Sequence, residues 1–215
     1  MRLVADIGGT NTRLAFSYDG QVHLETIKRF RNDDYDSAEA LLHEYLLQHA
    51  HGTVSEIAIA MAGSVQQNVG RLTNRDWTLD ATAFAKRFSI EQSYLLNDLV
   101  ALGYSVPFLQ DKQLTMMRKA ETEPSQDYPA LVVGIGTGFN ACPVLDVDGT
   151  IYCQHVEVGH TSLPSNLANA LERDNINPKD FPTIESLFSG PGFETFCQKV
   201  LNNDCLLYTS PSPRD

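Results

Sequence analysis

Cationic residues are scarce in this chain: 16 Lys and Arg stand against 27 Asp and Glu, a formal net charge of −11 over 215 residues. A surface of that sign repels phosphate backbones and anionic headgroups, so neither nucleic acid nor a membrane is expected as a partner. Long apolar runs are missing too. The first apolar stretch is short and punctuated by Asp6, too brief for a signal peptide or a bilayer span of about 20 residues, which predicts a cytoplasmic protein. The four cysteines, Cys142, Cys153, Cys197 and Cys205, form no Cys-x-x-Cys pair. That argues against zinc and a disulfide framework and for reduced thiols. Three familiar nucleotide signatures are absent: Gly-x-x-x-x-Gly-Lys-Ser/Thr, a Gly-x-Gly-x-x-Gly opening a helix, and a His-Arg-Asp loop.

What is present is organised around Leu3-Val4-Ala5-Asp6-Ile7-Gly8-Gly9-Thr10-Asn11-Thr12-Arg13. An apolar run reads as a buried strand carrying a carboxylate near its end. The glycines with Thr10 and Asn11 make a tight turn, and residues 12–18 return as a strand. Such a turn lets backbone N–H groups converge on an anion, with Asp6 placed to hold a magnesium ion against phosphate oxygens. The same pattern also suits a plain N-terminal hairpin, and the local sequence does not separate the two.

Further along, residues 22–30 predict a third strand. Asp36-Ser37 cap a helix with apolar residues at Ala38, Leu41, Leu42, Tyr45 and Leu46. His43, His49 and His51 are expected on its solvated surface. Residues 56–62 read as a buried parallel strand, 69–73 as a short strand, and 80–88 as a helix capped by Asp80. Residues 94–96 form a strand leading into Asn97-Asp98 and a helix through Tyr104. A meander, a crossover helix and another strand predict an α/β layer architecture. The polar stretch 111–127 reads as a connection, dividing a small domain (1–110) from a second one (111–204). That second part opens as the first did: a buried strand from Leu131, the turn Gly134-Ile135-Gly136-Thr137-Gly138, a returning strand 139–147, an Asp148-Gly149 hairpin turn and a strand 150–154. Helices follow at 165–173, 183–188 and from Gly190-Pro191-Gly192 onward. Residues 205–215 show no periodicity and read as a non-native tail.

Taken singly, the polar residues have bland readings: Asn97-Asp98 as a helix cap, Glu157 and His160 as a surface ion pair, Gly136-Thr137-Gly138 as a hairpin turn. Their order is more specific. Asp6 with Gly8-Gly9-Thr10, then Asn97-Asp98, Gly136-Thr137-Gly138, Glu157-Val158-Gly159-His160, and Glu185 ahead of Ser189-Gly190-Pro191-Gly192 together resemble the bacterial glucokinase family. That family belongs to the sugar-kinase, Hsp70 and actin ATPase superfamily, and the likeness runs from Leu3 to the helix after Gly192.

The resemblance implies an actin-like (ribonuclease H-like) two-domain α/β fold with an incomplete second domain, and ATP-dependent phosphorylation of glucose to glucose 6-phosphate. It implies that Asp6, Gly8, Gly9, Thr10 and Asn11, with Gly136, Thr137 and Gly138, hold ATP, and that Asp6 holds Mg²⁺. Asp98 would be the general base on the 6-hydroxyl. Asn74, Asn97, Glu157, His160 and Glu185 would hold the hydroxyls of glucose or a related hexose, groups that such donors and acceptors suit. A homodimer is expected at full length, and an inactive fragment at this one. The alternatives are another ROK-type hexose kinase or a non-catalytic sugar-sensing domain of the same fold. The sequence departs from the family at Gly138-Phe139-Asn140, where Gly-Leu-Gly is usual, and at Val158, where a second glycine is usual.

Overall fold

The structure, a computed structural model, describes residues 1–119, 121 and 129–201; the expectation for residues 205–215 lies outside them. The chain divides into two compact units, Met1–Ala101 and Leu102 onward.

In the first unit, β1 (Arg2–Ile7) and β2 (Asn11–Tyr18) form the antiparallel pair that opens the chain. The expected third strand is broken in two: β3 (Gln21–Val22) and β4 (Lys28–Arg31) both pair with β2. A 3-10 turn over Leu24–Thr26 separates them. There the Thr26 hydroxyl takes the N–H of Phe16 at 2.9 Å, so a side chain stands where a strand would have paired. Helix α1 (Ala38–His49) is capped by Ser37, whose hydroxyl accepts from Ala40 N–H, and it buries Ala38, Leu41, Leu42 and Tyr45 as the spacing predicts. His43 and His49 are less solvated than expected, lying against Phe88 and Tyr45 at ring-centroid distances of 4.8 and 4.9 Å, while His51, beyond the helix end, is exposed as expected.

Strand β5 (Glu56–Met61) adds parallel to β1. A small antiparallel sheet follows, of β6 (Gly63–Gln66), β7 (Val69–Leu72) and β8 (Thr78–Asp80); β6 was not anticipated. Its Gln67-Asn68 turn has left-handed backbone at both residues, the geometry of a two-residue hairpin. Asp80 caps α2 (Ala81–Arg87) through Ala83 N–H, and β9 (Gln92–Asn97) pairs parallel with β5. The main sheet thus runs β3-β2-β1-β5-β9, with β4 also on β2. Its core joins Leu3, Ile7, Leu14 and Phe16 to Leu41, Leu42, Tyr45, Ile57, Ile59 and Met61, and includes Trp77. Helix α3 (Asp98–Ser105) begins directly after β9.

In the second unit, β10 (Ala130–Ile135), β11 (Phe139–Val147) and β12 (Thr150–Cys153) form an antiparallel sheet, turned at Asp148-Gly149 as expected. One face, with Cys142, Val144 and Cys153, closes on Gly103 of α3. The opposite face carries Leu131, Val133 and Ile135, which are 62, 43 and 65% exposed. The expectation that β10 is buried is therefore corrected: its pairing is satisfied by β11, but that face has no apolar cover among the described residues. Helices α4 (Ser165–Arg173), α5 (Ile184–Phe188) and α6 (Gly190–Leu201) follow as predicted. The loop between α4 and α5 is less polar in effect than its sequence, because Ile176 and Phe181 bury against Leu171 and Leu187. No helix among the described residues is long and apolar enough to cross a membrane.

Candidate active site

The parallel register sets the cluster of the first unit. Ile7 pairs with Met61 and Met61 with Asn97, so the Gly8–Asn11 turn, the start of β6 and the Asn97-Asp98 pair all leave the same edge of the sheet. The turn and Asn97 are two strands apart, about 10 Å at ~4.8 Å per strand. Carboxyl ends of parallel strands are where open α/β sheets bind ligands.

The turn itself is held from one side. Gly8 N–H donates to Asn11 O at 2.9 Å and closes it. Asn32, fully buried, donates from Nδ2 to Gly8 O at 2.8 Å and Gly9 O at 3.1 Å, and its backbone N–H donates to Thr10 O at 2.9 Å. Thr12 Oγ1 donates to Asn32 Oδ1 at 2.8 Å, which fixes the amide's orientation. Arg75 Nε adds a donor to Gly9 O at 3.3 Å. In a planar trans peptide the C=O and the following N–H point opposite ways. Three successive carbonyls drawn toward Asn32 and Arg75 therefore turn the N–H groups of Gly9, Thr10 and Asn11 away from them. Asp6 sits beside it with a half-exposed carboxylate, Arg13 Nη1 3.4 Å from its Oδ2.

No group of three or more His, Cys, Asp or Glu among the described residues is placed to hold a metal. Magnesium held mostly by phosphate and water needs only one or two carboxylates, and Asp6 at an amide-lined turn fits that requirement. Asn74 is exposed next to this turn, its Cβ 3.7 Å from where a Cβ on Gly9 would stand.

At the other end of the edge, Asn97 acts as the cap of α3. Its Oδ1 accepts from Leu99 and Val100 N–H at 3.0 and 3.3 Å, and its Nδ2 donates to Gly63 O at 3.0 Å. The bland reading of Asn97 is thus correct as far as its contacts go. Asp98, half-buried, accepts from Leu99 N–H through Oδ1 at 2.8 Å.

The remaining candidate residues form a separate cluster within the second unit. The Gly136-Thr137-Gly138 turn is exposed and closed by Gly136 N–H donating to Gly138 O at 2.9 Å, while Gly190 N–H at the start of α6 donates to Gly136 O at 2.7 Å. Glu185 reaches this turn: its Oε2 accepts from Phe139 N–H at 2.9 Å, and a Cβ on Gly138 would stand 2.7 Å from that oxygen. A side chain at Gly138 would have to displace the end of Glu185. Glu157 is held by Asn140, whose Nδ2 donates to Oε2 at 2.9 Å, and by His155, whose Nε2 lies 2.9 Å from Oε1. His160 Nε2 is 4.0 Å from Glu157 Oε2 and largely exposed. The ion pair anticipated between Glu157 and His160 is thus the looser of two, with His155 the nearer partner. Gly159 is fully determined: a Cβ would meet Phe139 O at 2.0 Å.

Four residues in these clusters escaped the sequence reading: Asn32, Arg75, Asn140 and His155. Asn32 and Arg75 stand in polar runs whose local pattern says only loop. Asn140 was marked as a departure from the family, and it proves to organise the Glu157 loop, since its Oδ1 also accepts from Val158 N–H at 3.1 Å.

Comparison with known proteins bears on the family and the fold. The glucokinase family model matches residues 3–214. Glucokinases of Yersinia enterocolitica and Erwinia tasmaniensis are each 28% identical over 218 residues, covering 99% of this chain and 66% of theirs. The crystal structure of a glucokinase from an Antarctic psychrotroph superposes with a TM-score of 0.76 at 28% identity, over 92% of this chain and 63% of that one. A ROK hexokinase of Thermus thermophilus, 16% identical, shares the fold with a TM-score of 0.60 over 94% of this chain and 65% of its own. The chain spans just under two thirds of the length of these relatives and has their mixed α/β, actin-like ATPase fold. On the match over residues 3–214 and the ordered motifs it covers, the chain belongs to the glucokinase family.

Proposed function

We propose that this chain carries the substrate and phosphate machinery of an ATP-dependent glucose kinase that forms glucose 6-phosphate. The observation that carries the reading is the inward pull on the Gly8, Gly9 and Thr10 carbonyls, with Asp98 at the same sheet edge. A turn that presents successive amides suits phosphate oxygens, and a carboxylate about two strands away suits a hydroxyl nucleophile.

In this reading Gly9, Thr10 and Asn11 receive phosphate oxygens through their N–H groups, and Gly136, Thr137 and Gly138 form a second phosphate turn. Asp6 holds Mg²⁺, and ATP supplies the phosphoryl group. Asp98 takes the proton of the 6-hydroxyl as the oxygen attacks, a step contributing about 10²–10⁴ in rate. Phosphoryl transfer otherwise depends on positioning and charge neutralisation. Asn74, Glu157 and His160 face solvent and are available to hydroxyls. Glu185 offers its second oxygen, while Asn97 acts mainly by setting the start of α3 and so the direction of Asp98.

The test is coupled ADP release across glucose, mannose and glucosamine. It is run on this chain extended to the relatives' length with the C-terminal third of the Yersinia enterocolitica glucokinase. Glucose-dependent ADP release, lost in Asp98→Asn, is the expected result; no hexose-dependent release from a folded extended chain overturns the reading.

A further inference from the structure

Arg75 touches three separate segments of the first unit. Its Nε donates to Gly9 O at 3.3 Å, its Nη1 to Asn32 O at 3.4 Å, and its Nη2 pairs with Asp33 Oδ1. The guanidinium lies over the ring of Trp77, 5.0 Å from the centroid, and Trp77 is 4% exposed. Trp77 N–H donates to Arg75 O at 2.8 Å, so the backbone of Arg75 is fixed as firmly as its side chain. A planar fork with several donors can satisfy three acceptors at once and stack as it does so; a lysine cannot.

We propose that Arg75 is a positioning residue for the anion-binding turn. By holding the Gly9 carbonyl it sets the direction of the Thr10 N–H, and by continuity it keeps Asn74 beside the turn. The charge of Arg75 is largely spent on Asp33, so its effect on a bound phosphate comes through geometry more than through its field. Asn32 holds two of the same carbonyls through its side chain, but Gly9 O is shared between Asn32 and Arg75, which makes the Gly9–Thr10 peptide the one that depends on both. The ligand part of the inference rests on the phosphate reading of the turn; the positioning part does not.

The experiment uses the full chain with Arg75→Met, Arg75→Lys and Asp33→Asn. Without ligand, hydrogen exchange of the Gly8 amide, which closes the turn onto Asn11 O, is followed by NMR. Trp77, the single tryptophan of the chain, reports the stacking directly through its emission. Expected are Gly8 exchange at least tenfold faster in Arg75→Met, a smaller increase in Asp33→Asn, partial recovery in Arg75→Lys, and unchanged exchange in α1. Unchanged Gly8 exchange in Arg75→Met, or acceleration equally spread over α1, overturns the proposal. Titration with Mg²⁺·ATP is then expected to show about tenfold weaker binding in Arg75→Met and an intermediate loss in Arg75→Lys. Equal affinity in all three overturns the ligand part. If the wild-type chain itself gives no response to Mg²⁺·ATP, the phosphate reading of the turn falls, and the ligand-free exchange rates still decide the role of Arg75.

Discussion

Asn32 donates to the Gly8 carbonyl at 2.8 Å across 24 residues of sequence, from a position with no solvent exposure. A buried amide with its oxygen occupied by Thr12 and its nitrogen by two carbonyls is a fully satisfied group. Removing one side of such a set leaves the other partners without compensation. Asn32→Ala is expected to lower stability by about 2–4 kcal/mol, read as a reduced midpoint in urea. A loss below about 0.5 kcal/mol would mean that water replaces the amide without cost.

Asp98→Asn retains an oxygen that can accept from Leu99 N–H, so the start of α3 is expected to survive. The amide is no base. In the extended chain turnover is expected to fall by about 10²–10⁴, with glucose affinity changed only modestly and the melting temperature within a few degrees. Unaltered turnover removes Asp98 as the base.

Gly159→Ala places a methyl group 2.0 Å from Phe139 O, against backbone that cannot swing aside. The result is expected to be overpacking of about 3 kcal/mol or more, displacing the Glu157 loop. A melting curve superimposable on that of the parent would contradict it.

The thiols of Cys142 and Cys153 share a buried pocket against Gly103. Burial, then the neighbouring Cys142, push the Cys153 thiol up to about 11, and burial raises Cys142 as well. Since the thiolate is the reactive form, alkylation at pH 8 is expected to leave both residues mostly unmodified by mass spectrometry. The sign for stability follows from the same shift. The unfolded chain loses these protons first, so stability is full below about pH 8.5 and falls as pH rises toward 11. A denaturation midpoint that rises between pH 9 and 11 would contradict this.

The exposed face of β10 presents Leu131, Val133 and Ile135 side by side. Such a strip is expected to bind an apolar dye and to promote association at high concentration. Val133→Glu should reduce both while leaving the β10–β11 pairing intact. Equal dye emission in parent and variant would place the apolar surface elsewhere.

Period and punctuation carried most of the fold. The alternation in β1, the Ser37 and Asp80 caps, the Asp148-Gly149 turn and the Gly-Pro-Gly start of α6 are all local signals, and each element formed where its signal lies. What the sequence hid was non-local. The break between β3 and β4 depends on a hydroxyl pairing across ten residues, and the burial of Asn32 depends on partners 20 to 24 residues away. The candidate site was legible in its carboxylates and glycines because those residue types announce their chemistry. The residues that aim them, Asn32, Arg75 and Asn140, are ordinary polar residues in loops until the chain is folded.

The parallel pairing of β1 has a consequence for the order of assembly. Its neighbour β5 begins at Glu56, the strand beyond it ends at Asn97, and Arg75 reaches the Gly9 carbonyl across 66 residues. Loops of that length must close before the contacts reward them. During synthesis the turn at residues 8–11 therefore leaves the ribosome well before the segments that fix its final shape, and the nascent hairpin must wait for most of the first unit before its amides are aligned.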